Sequence, residues 1–216
     1  MSKPVKKSRF QAPNLTAFGR LPEYNRKPRF EMTPEPAGKP RRGRKTALEF
    51  VVQKHRAGRL HYDFRLEHDG VMLSWAVPKG PSLDPANKRF AIQTEDHPIE
   101  YNQFEGVIPE GQYGGGTVMI WDRGTWEPEV EDVDAALAKG DLKFTLRGKK
   151  LRGSWVLVRM RSRQWLLIKH RDKVASTEDI AAAKPRSAAS RRTLAGIARR
   201  AGATARQLAE AEKADR

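Results

Sequence analysis

Polar and apolar residues alternate with a period of two through much of the middle of the chain. The clearest run is Leu60-His-Tyr-Asp-Phe-Arg-Leu66. In an extended backbone Leu60, Tyr62, Phe64 and Leu66 fall on one face, and His61, Asp63 and Arg65 on the other. Strand-like runs cover 48–55, 60–67, 71–77, 89–94, 117–121, 142–147, 153–160 and 164–169, separated by turn signals such as Asp69-Gly70, Asp122-Arg-Gly124 and Arg147-Gly148. Eight short strands predict an all-β fold, an antiparallel sandwich or barrel. One short helix is predicted within Glu131–Lys139, with acidic residues in its first turn and Gly140 as its stop. From about Ser190 onward the Ala/Arg-rich sequence predicts a marginal helix with little apolar material to dock it. The expected organisation is an extended arm over 1–45, a β domain over 46–175 and a tail over 176–216.

The polar face of 60–66 reads as a site. Residues i and i+2 of a strand are about 7 Å apart. An imidazole and a carboxylate at that spacing can share a divalent ion, with a guanidinium next along for an anion. His55 ends the preceding run Phe50-Val-Val-Gln-Lys-His55, and Arg56-Ala-Gly-Arg59 reads as a tight turn. A hairpin would therefore bring His55 beside His61 and Asp63 as a third ligand. The opposing reading is a half-exposed strand whose polar face meets water. Three of the chain's five histidines, His55, His61 and His68, fall within fourteen positions, which argues against it. His68, before Asp69-Gly70, reads as solvated loop. In a small barrel the polar side of this strand would line either the lumen or a groove.

Composition narrows the chemistry. The chain has 216 residues, 38% of them hydrophobic, enough for one modest core. It has no cysteine, so disulfides, thiolate zinc sites and cysteine nucleophiles are excluded. No apolar run approaches a membrane span and the N-terminus lacks an apolar leader core, so the expectation is a cytoplasmic, nucleoid-associated protein with no membrane partner. Charge is unevenly placed: residues 1–45 hold thirteen Lys/Arg against three Asp/Glu, residues 184–216 nine against three, and the middle is balanced. Cationic ends flanking a neutral body suit a polyanion, with nucleic acid as the leading candidate.

Other candidates are more scattered. His97, in Glu95-Asp-His-Pro98, is held extended by Pro98 and can project into a groove. Lys79 and Arg89, near strand ends, could bind phosphate. The run Glu110-Gly-Gln-Tyr-Gly-Gly-Gly-Thr117 lacks both the P-loop Lys-Ser/Thr and the dinucleotide-binding spacing. It reads as a close-packed turn, with no case for ATP or a dinucleotide.

Several contiguous blocks carry a family resemblance. Phe50–Leu66, Ser74-Trp-Ala-Val-Pro-Lys-Gly-Pro-Ser82, Glu95-Asp-His-Pro98, Phe104-Glu-Gly-Val-Ile-Pro-Glu-Gly-Gln-Tyr113, Trp121-Asp-Arg-Gly-Thr-Trp126 and Trp165-Leu-Leu-Ile-Lys169 closely resemble the 3′-phosphoesterase module of bacterial DNA ligase D. The match runs in order from roughly Phe18 to Ala175. The resemblance implies a small antiparallel β-barrel with a polar centre holding a divalent metal, typically manganese. It also implies an enzyme that removes a 3′-terminal ribonucleotide and then the 3′-phosphate at DNA ends, leaving a 3′-OH for repair synthesis or ligation in non-homologous end joining. His55, His61 and Asp63 match the family's metal ligands, and Arg65 and His97 its phosphate-contacting residues. Gln53, Lys79, Arg89 and Tyr101 match supporting positions, with Tyr101 a second candidate beside His97 for proton transfer, and Glu35 matches an acidic residue of the arm. The chain departs from the family at Lys27-Pro-Arg-Phe30, where an Arg-Asp pair is usual. No polymerase or ligase domain follows, so the expectation is a stand-alone module meeting a separate ligase, polymerase or end-binding protein. Two rival readings are a non-catalytic DNA-end-binding module of the same fold and an iron oxygenase, whose His-x-Asp motif is shared but whose distal histidine has no good candidate here.

Overall fold

The computed structural model describes residues 34–36 and 47–216. The rest of the expected arm, including Lys27-Pro-Arg-Phe30, lies outside the described residues. The strands are β1 (Leu48–Arg56), β2 (Leu60–His68), β3 (Val71–Val77), β4 (Arg89–Gln93), β5 (Gly106–Ile108), β6 (Gly116–Pro128), β7 (Asp141–Gly148), β8 (Arg152–Arg161) and β9 (Gln164–Lys169). All eight predicted runs are present, and β6 continues well past the predicted 117–121. The sheet order is β1-β2-β3-β4-β9-β8-β7-β6-β5, every pairing is antiparallel, and β1 also pairs with β6. That last pairing closes an eight-stranded barrel and leaves β5 as an extra strand. On β6, residues 116–118 pair with β5 and 124–128 with β7.

The β2–β3 hairpin follows from local chemistry. Asp69 and Gly70 both take positive φ, 47° and 76°, as the tight turn between β2 and β3 demands. The predicted helix is α1 (Val133–Lys139), capped by the Asp132 carboxylate on the Ala135 N–H and stopped by Gly140 at φ 85°.

Aromatic side chains fill the lumen. Phe64 of β2 and Phe144 of β7 meet with ring centroids 5.8 Å apart although their strands are not neighbours, so the contact crosses the barrel. All five tryptophans are buried, each no more than 1% exposed. The polar centre implied by the resemblance is therefore corrected: Tyr62, Phe64 and Leu66 occupy the lumen, and the alternate residues His61, Asp63 and Arg65 lie on the outer wall. Close packing of these side chains leaves no room among them for the His61, Asp63 and Arg65 cluster.

The tail also differs from expectation. Instead of one weakly docked helix it forms α2 (Ile180–Ala183), α3 (Leu194–Arg200) and α4 (Ala205–Ala214), and Ile180, Leu194, Ile197, Ala198 and Ala211 join the barrel core. Leu194, Ile197 and Ala198 stand at the spacing of one helix face. Thr193 caps α3, and Thr204 with Gln207 forms a capping box on α4. Among the described residues no helix is long and apolar enough to cross a membrane.

Candidate metal centre

The outer face of the β1–β2 hairpin carries the site because the register sets its residues side by side. His55 pairs with His61, Gln53 with Asp63 and Val51 with Arg65; on the other side of β2, Asp63 pairs with Ala76 and Arg65 with Ser74. The small Ala76 leaves space beside the carboxylate. One atom each from His55, His61 and Asp63 lies within 4.8 Å of the others. His55 Nδ1 is 3.6 Å from Asp63 Oδ2, and His61 Nε2 is 3.7 Å from Asp63 Oδ1.

Each imidazole is oriented by its second nitrogen. His55 Nε2 lies 2.8 Å from the Gly114 carbonyl, and His61 Nδ1 lies 3.0 Å from the Arg59 carbonyl. A carbonyl only accepts, so the proton of each neutral ring sits on that nitrogen, and the basic nitrogen is turned toward Asp63. Two neutral imidazoles and one carboxylate converging in this way fit a divalent transition ion.

Asp63 is held in its charged form. Burial by itself pushes its carboxyl up, but the Arg65 guanidinium and the adjoining His55 and His61 outweigh it and hold the group well below the usual carboxylate range. Arg65 Nη2 lies 3.3 Å from Asp63 Oδ2. Its Nε donates to Gln53 Oε1 at 3.0 Å and its Nη1 to Ser74 Oγ at 2.8 Å, while the Tyr101 ring lies 5.0 Å from the guanidinium carbon. Gln53, fully buried, in turn donates to the carbonyls of Tyr101 and Phe104 at 3.1 and 3.0 Å. It thus ties the guanidinium to the loop that roofs the site.

That loop brings in His97. β4 pairs with β3 only at Trp75 and Ala76, which leaves the Met72 backbone edge open. His97 fills it through an antiparallel bridge, with Met72 N–H to His97 O at 2.8 Å and the reverse bond at 3.0 Å. Its Nδ1 then lies 2.9 Å from the Glu95 carbonyl and 3.3 Å from the Ser74 hydroxyl. Tyr101 packs edge-on against the His97 ring, with centroids 5.0 Å apart, and donates its hydroxyl to Glu35 at 3.0 Å.

These groups surround a cavity of about 330 Å³ whose lining includes His55, His61, Asp63, Arg65, His97 and Tyr101, with Glu35 also on its wall. Lys79 is exposed in the turn after β3, and Arg89 is half-buried at the start of β4; neither lines the cavity. His68 ends β2 rather than lying in a loop, and is 3.1 Å from Asp134, away from the centre. Sequence reasoning missed Ser74, Glu95, Tyr113 and Gly114, all of which line the cavity or brace its walls. Ser74, Glu95 and Tyr113 stand in blocks that carry the family resemblance but have no chemical signal of their own, and the glycine run around Gly114 reads as packing.

Residues 53–159 match a family model described as the DNA Ligase D 3′-phosphoesterase domain. The chain is 53% identical over 182 residues to the multifunctional non-homologous end joining protein LigD of Pseudomonas aeruginosa, a match covering 81% of this chain and 22% of that protein. It is 45% identical to LigD of Mycolicibacterium smegmatis, over 69% of this chain and 20% of the relative. The same identity holds for the multifunctional non-homologous end joining DNA repair protein LigD of Mycobacterium tuberculosis, over 68% and 19%. The chain thus spans about a fifth of the length of these relatives.

Proposed function

This chain belongs to the DNA ligase D 3′-phosphoesterase domain family, and we propose that it is a manganese-dependent phosphoesterase that heals DNA 3′ ends. In this reading it removes a 3′-phosphate, and a 3′-terminal ribonucleotide, to leave a 3′-OH. The observation that carries the reading is the convergence of His55, His61 and Asp63 within 4.8 Å of one another in a cavity that Arg65 and His97 also line. Its substrates are DNA or RNA-tipped DNA ends in the cytoplasm, at the nucleoid, with a repair ligase, polymerase or end-binding protein acting alongside.

When bound by His55, His61 and Asp63, a divalent ion supplies Lewis-acid polarisation of the phosphoryl group and acidifies water. The chain's own residues do the rest. Arg65, braced by Gln53 and Ser74, presents a fixed cation to the phosphate oxygens with little reorganisation. Hydrolysis forms a bond from water oxygen to phosphorus and breaks the bond from phosphorus to O3′, so a proton must leave the water and one must reach the departing alkoxide. His97, with its proton held on Nδ1 by the Glu95 carbonyl, keeps Nε2 as the basic atom for that transfer. Tyr101, hydrogen-bonded to Glu35, is the second proton-handling group at the same wall. Lys79 and Arg89 do not line the cavity, so their substrate contacts would be with the flanking DNA.

A 3′-phosphorylated primer incubated with the protein and manganese tests the reading. A product of altered mobility, free phosphate, and loss of both in chelator are expected. Full activity in chelator would overturn the metal assignment. Tight end binding without turnover would instead support a non-catalytic end-binding module.

A further inference from the structure

A second polar cavity, of about 440 Å³, lies beside the metal centre between the β1–β2 turn, the loop 110–116 and the first turn of α4. The two cavities adjoin. Ala57 lines both, and one loop separates them, with Tyr113 and Gly114 facing the metal centre and Gln112 and Gly115 the second cavity. Tyr113 is 57% exposed on that ridge.

The charges of the second cavity are unequally committed. Arg56 pairs with Glu210 and donates to the Gly58 carbonyl at 3.2 Å; Lys213 also holds Glu210, at 3.2 Å, and Glu110 accepts the Thr204 hydroxyl at 3.0 Å. Arg206 lines the cavity, is exposed, and makes no salt bridge among the described residues. It stands in the first turn of α4, which has no acidic residue. A cation there opposes the helix macrodipole, a cost that a bound anion would remove.

Resting on the phosphoesterase reading, we propose that this cavity seats the internucleotide phosphate immediately 5′ of the terminal nucleotide, with Arg206 as its cation. A strand whose terminal phosphate occupies the metal centre carries its next phosphate only one nucleotide away, in the adjoining cavity. The terminal nucleoside then spans the loop that separates the two cavities. The tail helices, besides packing on the barrel, thereby complete the substrate track.

The test uses the full-length protein with manganese and a labelled DNA duplex with a 3′-OH product end. Its last internucleotide linkage is either a phosphodiester or a neutral methylphosphonate. Wild type should bind the methylphosphonate duplex about tenfold more weakly, the loss of one hydrogen bond to a charged group. Arg206→Ala should show that loss on the phosphodiester and no further loss on the methylphosphonate, with Arg206→Lys between. Equal discrimination by wild type and Arg206→Ala would overturn the proposal. Arg206-dependent discrimination in a protein that releases no phosphate from a 3′-phosphorylated primer would uphold the subsite and overturn the phosphoesterase chemistry.

Discussion

Lys54 and His55 are neighbours on β1, yet they enter two buried polar clusters of opposite character. Lys54 points to the tail, where its ammonium donates to the Ala214 carbonyl at 2.6 Å and lies 3.8 Å from Asp215. Burial dominates there: it lowers the Lys54 pKa despite the opposing pull of Asp215. On the outer face the balance reverses, and the cations around Asp63 overcome its burial. The inner cluster is closed by backbone and carboxylate from the same chain, whereas the outer one surrounds an open cavity. A buried charge is thus a structural device when the protein satisfies it, and a chemical one when several donors converge on space.

The sharpest way to break this comparison is to remove one donor from the outer cluster. Asp63→Ala, His55→Ala or His61→Ala should reduce 3′-end healing and manganese binding to background while the aromatic lumen keeps the fold intact. Calorimetric metal titration and circular dichroism check both halves. Retained manganese affinity in all three would remove the metal assignment.

The tail should behave oppositely. Leu194 is fully buried, so Leu194→Ala should cost about 2–5 kcal/mol of stability, read by urea unfolding. Deleting 194–216 should cost more, because it also strips Ile197, Ala198 and Ala211 from the core. Loss of DNA affinity at unchanged stability would mean that the tail is the loose basic arm its composition suggests.

Arg65→Lys sharpens the outer cluster. Lysine keeps the charge but cannot serve Gln53, Ser74 and Asp63 together. Activity should fall by roughly 10–100-fold, as for a lost supporting contact, with manganese affinity largely kept. Collapse of metal binding would make Arg65 chiefly the brace of Asp63.

The smallest effect concerns Lys54. Its native pKa is depressed, so the unfolded chain binds more protons than the native one in the interval below the ordinary lysine value. Stability should therefore rise with pH through that alkaline window. Lys54→Met should flatten the rise at little cost elsewhere. Parallel stability curves for the two proteins would show that Asp215 fully compensates the buried ammonium.

Much of this was legible locally. Alternation in 60–66 fixed which residues share a face, the turn at 56–59 predicted the hairpin, and the register indeed sets His55 opposite His61. The helix at Val133–Lys139 could be read from its first-turn acids and Gly140. Ser74 was not legible, because one serine on an alternating strand looks like any solvated position. The tail reads as loose because its few apolar residues are diluted by arginine, although Leu194, Ile197 and Ala198 hold helical spacing and Thr204 with Gln207 forms a capping box.

The sequence by itself determined the strands, the hairpin and which donor side chains share a face, since backbone periodicity and turn chemistry act over a few residues. It did not determine which face of β2 would be the lumen; barrel closure by the β1–β6 pairing decided that, and packing of Phe64 on Phe144 sent the charged face outward. Nor could it join Ser74 and His97 to Arg65, aim His55 with the Gly114 carbonyl, or seat the tail on the barrel. Those contacts link residues far apart in the chain, and only the folded backbone brings their donors and acceptors within bonding distance.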